Sequence, residues 1–172
     1  QTGTTPAPVE IASLQSPPFS LVAAQTLKPS QNLYTELILR TLGKVAAPPP
    51  TTPGPPSIGQ TTEDLGIEAV KALLKTVGIR PEALVLNDGS GLSRDDMITA
   101  DASVQLLTFM SRHPHAAVFR DALPIAGVDG TLRNRLKNTA AENNLRAKTG
   151  SLSSAASLGG YVTTAVGERV VF

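Results

Sequence analysis

The chain has 172 residues, which is enough for one domain with its own hydrophobic core and short for two. Its net charge is +1 and no apolar run is long enough to span a bilayer, so the composition indicates neither a nucleic-acid-binding surface nor a transmembrane segment. Cysteine is absent, which excludes disulfides, thiolate metal ligands and a cysteine nucleophile.

The chain begins with a polar segment, residues 1–15, whose first part is rich in Pro and Thr. This segment lacks the basic and then apolar pattern of a signal peptide. The absence of cysteine is compatible with export, and in that case we expect the signal to lie upstream of Gln1.

Four helices are predicted after this segment. The first begins after Pro17-Pro18. The second has Ser30 as its N-cap and Gly43 at its end. Its apolar residues are Leu33, Leu37, Ile38 and Leu42. The third spans Thr62–Val77 and the fourth spans about 100–111.

Residues 46–59, between the second and third helices, are rich in proline and are predicted to form an extended surface loop. Strands are predicted at 83–86, 146–149, 157–165 and 168–172, the last two joined by a tight turn. The chain stops within strand-like sequence, so we expect the fold to be incomplete there. Helices followed by antiparallel strands predict an α+β fold.

Three short motifs contain residues that could carry chemistry. They are Ser30-Gln31-Asn32 at a helix start, Asp88-Gly89-Ser90-Gly91-Leu92-Ser93-Arg94 after a short strand, and Lys148-Thr149-Gly150-Ser151 on a strand. Each has an ordinary structural explanation by itself: a helix cap, an Asx turn and a solvated lysine. Two other clusters of polar residues have structural explanations. We expect His113-Pro114-His115 to form a surface loop rather than a metal site. We expect Asp95, Asp96 and Asp101 to stabilise a helix start by charge–dipole interaction.

Together, Ser-x-Asn and Lys-Thr-Gly match two of the three motifs of penicillin-interacting serine enzymes. An acyl-transfer serine needs a group that moves its proton to the leaving amine. A hydroxyl and two ammonium groups, one of them Lys148, can form that relay. An Asn amide can hold both the lysine and the peptide carbonyl of the substrate, and a Gly beside the lysine lets a substrate backbone lie close to the strand.

The order of these motifs, with Leu-Pro-Ile-Ala-Gly-Val-Asp-Gly-Thr-Leu at 123–132, resembles the D-alanyl-D-alanine carboxypeptidase/endopeptidase family. These are the class C low-molecular-mass penicillin-binding proteins. The likeness runs from Ser16 to the end of the chain and includes the stretch from Ser30 to Glu36.

The resemblance implies a role for seven residues. Ser30, Asn32 and Lys148 would be catalytic. The substrate-binding residues would be Thr149, Gly150, Ser151 and Arg94. Thr149 would contact the terminal carboxylate of the substrate, and the backbone N–H of Ser151 would be an oxyanion-hole donor. Arg94 has two open interpretations, a contact with the side chain of the peptide or a structural salt bridge.

The resemblance also implies a fold and an activity. Residues 16–172 would be the C-terminal part of a catalytic domain with the penicillin-binding transpeptidase/β-lactamase-like fold, an antiparallel sheet flanked by helices, incomplete at both ends. The intact protein would be a periplasmic or extracytoplasmic serine-type D-Ala-D-Ala carboxypeptidase or endopeptidase. It would cleave peptidoglycan stem peptides through an acyl-enzyme, need no metal or organic cofactor, and be inhibited by β-lactams.

One expected motif is missing from the chain. The nucleophile of the family is the Ser of an upstream Ser-x-x-Lys, and no serine here has Lys three positions later; the nearest imitation is Thr41 to Lys44. The chain alone is therefore expected to be inactive. An alternative is a non-catalytic fragment or pseudoenzyme that binds peptidoglycan or a partner protein. A β-lactamase is a third possibility, disfavoured by the segments at 88–94 and 123–127.

Overall fold

The structure is a computed structural model that describes residues 9–46 and 60–172. Of the predicted polar segment 1–15, residues 9–15 are exposed and have no regular secondary structure. The predicted Pro-rich loop lies outside the described residues, apart from Ala46, which is helical. Within the described ranges, no helix is both long enough and apolar enough to cross a membrane.

The described residues form an α+β fold, as predicted. The helices are α1 (Phe19–Leu27), α2 (Asn32–Ala46), α3 (Thr62–Val77), α4 (Ala100–Arg112) and α5 (Ala116–Ala122). The strands are β1 (Leu84–Val85), β2 (Met97–Ile98), β3 (Arg146–Leu152), β4 (Ala155–Thr163) and β5 (Arg169–Val171). β1 and β2 form an antiparallel pair, and β3, β4 and β5 form a separate antiparallel sheet in chain order. Short 3₁₀ turns occupy Pro81–Ala83 and Gly130–Leu132.

Local signals at both ends determine the length of α3. At the start, the Thr61 hydroxyl accepts a hydrogen bond from Asp64 N while the Asp64 carboxylate accepts one from Thr61 N, which is a capping box. The hydrogen bonds that the Asp64 carboxylate accepts from the Thr61 N–H and the Thr61 hydroxyl hold the pKa of Asp64 below its usual value. At the end, Gly78 has φ of 91°, a left-handed conformation that favours glycine. The predicted bounds of this helix are confirmed.

Gly43 does not end α2, so that prediction is wrong. The helix continues to Ala46, and Gly43 is buried against the first turn of α3. A Cβ at Gly43 would lie 1.8 Å from Thr62 O, and one at Gly66 would lie 2.3 Å from Leu39 O. The two glycines therefore allow the backbones of α2 and α3 to touch, which is a tertiary requirement rather than a stop signal.

Two hydrophobic clusters hold the described residues together. One cluster lies between β3 and the segment before it, with Ala126, Leu132, Leu145 and Ala147 buried and Leu158, Val162 and Phe172 packed against them. The other joins α3 to α4 through Leu74, Ile79 and Ala102. The first cluster supports the strand that carries Lys148, so it is the core that positions the candidate site.

The structure differs from the sequence interpretation at α5, at Asp96 and at β2, a short strand that was not predicted. Residues 116–122 form α5, which was not predicted because seven residues span too little periodicity to identify a helix. His113 is the residue after α4 and His115 the residue before α5, so both lie in the connection between these helices. Asp96 was predicted to stabilise a helix start, and this prediction is wrong. Its Oδ1 instead accepts a hydrogen bond of 2.6 Å from Asn87 N across the β1–β2 pair.

Candidate active site

Lys148 and Ser30 meet although 118 positions separate them in sequence. The Lys148 Nζ donates a hydrogen bond of 2.7 Å to Ser30 Oγ. Both residues are partly buried. The fold therefore brings a hydroxyl and an amino group from two sequence motifs into one cleft, with an arrangement suited to proton transfer between them.

The backbone around Ser30 is unusual. Ser30 has φ of 62°, a left-handed conformation that costs a non-glycine residue about 1 kcal/mol or more. The α-helical hydrogen bond at the start of α2 runs from Thr35 N to Gln31 O, so Gln31 rather than Ser30 precedes the helix. The prediction of Ser30 as the N-cap is therefore wrong. Its hydroxyl is directed to Lys148 instead.

Lys148 occupies the middle of β3, directly after the fully buried Ala147. Its Nζ also donates a hydrogen bond of 2.6 Å to Thr149 O. Partial burial lowers the pKa of Lys148 below the usual value for lysine, because loss of solvent disfavours the ammonium form. Lysines with a lowered pKa are typical of sites where a proton is transferred.

An open cavity of about 880 Å³ surrounds this contact. Six of the seven predicted site residues line it: Ser30, Asn32, Lys148, Thr149, Gly150 and Ser151. Arg94 does not line it and is exposed. Among the described residues Arg94 also has no ion-pair partner, so the salt bridge considered for it is not formed there.

One edge of the three-stranded sheet borders the cavity. β3 pairs with β4 along its length, and within residues 9–46 and 60–172 its other edge makes one isolated bridge, from Arg146 to Ile125. Residues 148–152 line the cavity beyond that bridge. An unpaired strand edge of this kind can hydrogen-bond to an extended peptide.

The loop at 88–94 contains the Asx turn considered from sequence. Asp88 Oδ1 accepts hydrogen bonds of 2.8 Å from Ser90 N and 2.6 Å from Gly91 N, and its Oδ2 accepts one of 2.9 Å from Ser93 N. Burial opposes ionisation, but the hydrogen bonds from Gly91 and Ser93 outweigh it and the pKa of Asp88 is lowered. Ser90, Gly91 and Leu92 line the cavity.

Glu36 ends the Ser30–Glu36 stretch, and the sequence indicates no role for it. Its Oε1 accepts hydrogen bonds of 3.0 Å each from Gly89 N and Ser90 N, which fastens the loop at 88–94 to α2. A Cβ at Gly89 would lie 2.9 Å from Thr35 O, so glycine is needed for this close approach. The sequence signal that could have indicated this contact is that the stretch from Ser30 to Glu36 and the loop at 88–94 both belong to the family resemblance.

Two further cavity residues were missed. The Thr131 Oγ1 accepts a hydrogen bond of 2.8 Å from Thr149 Oγ1, and both Thr131 and Arg135 line the cavity. Thr131 belongs to the segment at 123–132, which was quoted for its resemblance alone. No periodicity or spacing in the sequence indicates that these side chains reach the cavity.

A Lys-Thr-Gly strand facing a Ser-x-Asn segment is typical of the penicillin-interacting serine enzymes. Comparison with known proteins identifies the family within that class. The sequence model described as the D-Ala-D-Ala carboxypeptidase 3 (S13) family matches residues 1–172. The chain belongs to this family.

Individual relatives agree with this assignment. A D-alanyl-D-alanine carboxypeptidase from Actinomadura sp. is 37% identical over 163 residues, which cover 92% of this chain and 28% of the relative. The carboxypeptidase DacB from Mycolicibacterium smegmatis is 34% identical over 168 residues, covering 94% of this chain and 34% of the relative. The chain therefore spans about a third of the length of these relatives.

The fold comparison gives the same result. The crystal structure of penicillin binding protein 4 (dacB) from Haemophilus influenzae, complexed with a novel β-lactam, is similar with a TM-score of 0.73 and 30% sequence identity. The match covers 87% of this chain and 33% of that protein. The predicted fold class is confirmed by this likeness.

Proposed function

We propose that this chain is part of a serine-type D-Ala-D-Ala carboxypeptidase or endopeptidase that acts on peptidoglycan stem peptides outside the cytoplasm. The observation that carries the proposal is the hydrogen bond of 2.7 Å between Lys148 Nζ and Ser30 Oγ in the wall of the cavity. Membership of the carboxypeptidase family supports the reaction type. The nucleophile is assigned to a Ser-x-x-Lys outside this chain.

The proposed reaction proceeds through an acyl-enzyme. The nucleophilic serine attacks the carbonyl carbon between the two D-Ala residues, and its proton passes through Ser30 and Lys148 to the departing amine. The C–N bond breaks and D-Ala leaves. Water then attacks the ester carbonyl, and the shortened peptide is released with the serine regenerated.

The described residues supply positioning and charge stabilisation in this scheme. The peptide lies along the free edge of β3, where the Ser151 N–H donates to the developing oxyanion. The Asn32 amide holds the peptide carbonyl and Lys148. Thr149 binds the terminal carboxylate, Gly150 leaves space for the peptide backbone, and Arg94 is assigned to the outer part of the substrate.

β-Lactams are proposed as inhibitors that acylate the same nucleophile. The cyclic amide would occupy the place of the D-Ala-D-Ala bond and leave a stable ester. Support comes from penicillin binding protein 4 of Haemophilus influenzae, whose crystal structure is a complex with a β-lactam.

The test uses the intact protein and labelled penicillin. We expect Lys148→Ala to abolish covalent labelling, because the proton relay loses its amino group. The matched control is Lys71→Ala, which removes an exposed lysine that pairs with Glu68 on α3, away from the cavity lining. Normal labelling of Lys148→Ala would show that the motif assignment is wrong.

The alternative is a non-catalytic protein that binds peptidoglycan or a partner. The observation that favours it is the absence of Ser-x-x-Lys from these 172 residues. We expect this chain alone to remain unlabelled by penicillin, and labelling of Ser30 would contradict that expectation. The intact protein decides between the two functions: release of D-Ala supports the enzyme, whereas peptide binding without release supports the alternative.

A further inference from the structure

The segment at 123–132, here called the bridging loop, touches both sides of the Ser30–Lys148 contact. Its side chains form part of the core: Leu123, Ala126 and Leu132 are at most 1% exposed. Its backbone reaches β3 on one side and the end of α1 on the other. No role in the proposed reaction has been assigned to this loop so far.

On the side of Ser30, the loop is joined to Lys28, two residues before the catalytic hydroxyl. The Lys28 Nζ donates hydrogen bonds of 2.6 Å to Asp129 Oδ2 and 3.1 Å to Leu123 O. The Lys28 carbonyl accepts one of 3.0 Å from Thr131 N. A Cβ at Gly130 would lie 2.4 Å from that carbonyl, so the loop and Lys28 are in direct backbone contact.

On the side of Lys148, the same loop is joined to the two neighbours of the catalytic lysine. Pro124 O accepts a hydrogen bond of 3.0 Å from Ala147 N. Thr131 Oγ1 accepts one of 2.8 Å from Thr149 Oγ1. The position of Lys148 along the loop is therefore determined by contacts immediately before and after it.

Asp129 is the centre of this arrangement. One carboxylate oxygen accepts from Lys28, and the other accepts a hydrogen bond of 2.8 Å from Ile125 N, which closes the loop on itself. The side chains of Lys28 and Asp129 are 24% and 33% exposed. Ion pairs with this much exposure contribute little to stability. The contacts of Lys28 and Asp129 are better explained by a role in positioning Ser30, which follows Lys28 by two residues.

We propose that Lys28 and Asp129 are a positioning pair, which holds Ser30 Oγ at hydrogen-bonding distance from Lys148 Nζ by fixing the end of α1 to the bridging loop. The inference rests on the proposed function for its effect on rate. Neither residue contacts substrate; each acts through Ser30. The left-handed backbone at Ser30 needs such support, because an unconstrained serine would leave that conformation.

The test compares Asp129→Asn, Lys28→Met and the double variant in the intact protein. Asp129→Asn keeps an acceptor for Ile125 N and removes the charge that pairs with Lys28. We expect each single variant to lower kcat for a D-Ala-D-Ala peptide by about 100-fold, with a smaller change in KM, because misplaced catalytic groups have losses of this size. We expect the double variant to be no slower than either single variant. Lys28→Arg should restore most of the rate.

The control is the ion pair between Arg40 and Glu63, which joins α2 to α3. We expect Glu63→Gln to leave kcat unchanged. A purely structural role for Lys28 and Asp129 predicts equal losses of thermal stability and equal kcat in Asp129→Asn and Glu63→Gln, and that result would overturn the inference.

A second readout is independent of activity. Crystal structures of the intact protein and its Asp129→Asn variant give the distance between Ser30 Oγ and Lys148 Nζ. A longer distance in the variant supports the inference, even if the parent protein fails to react with penicillin and the proposed function falls. An unchanged distance overturns the inference, whatever the parent protein catalyses.

Discussion

The two walls of the cavity are built differently. The sheet wall, formed by β3 and the bridging loop, rests on side chains that are almost completely buried, such as Leu132 and Ala147. The helix wall begins at Ser30 and continues into α2, where Leu39 and Gly43 are buried while Leu33 and Leu37 are more than half exposed. Within the described residues, the lysine therefore has a rigid support and the serine depends on a few specific contacts.

The difference between the two walls means that the contacts that stabilise the fold are not the same as the contacts that position Ser30 against Lys148. Packing of apolar side chains supports β3, and the hydrogen bonds that the neighbours of Lys148 make to the bridging loop add to that support. Backbone contacts and an ion pair determine where Ser30 lies, and one substitution is enough to remove the ion pair. We therefore expect helix-wall and sheet-wall substitutions to have distinguishable effects.

The largest effect is expected at the contact that joins the walls. Lys148→Arg keeps a positive charge but changes its geometry, so we expect penicillin acylation of the intact protein to fall by about 100-fold. The relay uses the ammonium form of Lys148, so activity should decline when this group loses its proton at high pH. Because burial lowers the pKa of Lys148, the decline should begin at a lower pH than it would for a solvated lysine.

The pH dependence of acylation measures this directly. In Lys148→Arg the residual activity should persist to higher pH, because a guanidinium remains protonated. An alkaline decline that is the same in both proteins would show that another group is responsible.

A smaller effect, on stability, is expected in the helix wall. Gly43→Ala should lower the free energy of unfolding of the intact protein by about 2 kcal/mol, because overpacking forces two helix backbones apart. The collision partner is Thr62 O, a backbone atom that cannot rotate away. Urea unfolding measures the change.

Gly159→Ala is the matched control on β4, the strand that pairs with the sheet wall at Lys148. Its new Cβ would lie 3.5 Å from Leu107 Cδ1, which is an ordinary van der Waals contact. We expect little change in stability there. A loss equal to that of Gly43→Ala would contradict the distinction between the walls.

The smallest effect is expected from a polar contact beneath the sheet wall. Tyr161 is 5% exposed, and its hydroxyl donates a hydrogen bond of 2.8 Å to Leu107 O. Tyr161→Phe keeps the ring and its edge-on contact with Phe119, so we expect a loss of about 1 kcal/mol in unfolding free energy.

The rate of penicillin acylation should not change in Tyr161→Phe, because packing rather than this hydrogen bond positions β3. Tyr34→Phe, at a residue 43% exposed, is the control and should change neither property. A slower acylation by Tyr161→Phe would show that alignment of the sheet wall also depends on polar contacts.

Local signals explain which structural predictions succeeded. The bounds of α3 follow from a cap at Thr61 and a terminator at Gly78, both of which act within a few residues of chain. Lys148 was placed on a strand because the apolar pattern changes period there. At Gly43 the same reasoning failed, because a glycine that ends a helix and one that admits a neighbouring backbone look identical in sequence.

The sequence by itself determined the chemical groups and their order: Ser-x-Asn, the Asp-Gly-Ser-Gly loop, the segment at 123–132 and Lys-Thr-Gly. Their types are readable because acyl transfer requires particular functional groups. Only the tertiary structure decided that Ser30 bonds to Lys148 instead of capping a helix, and that Lys28 and Asp129 join the two walls. These contacts join residues that are about a hundred positions apart in the sequence. They depend on how the whole chain packs, and no local sequence pattern predicts which distant residues will meet.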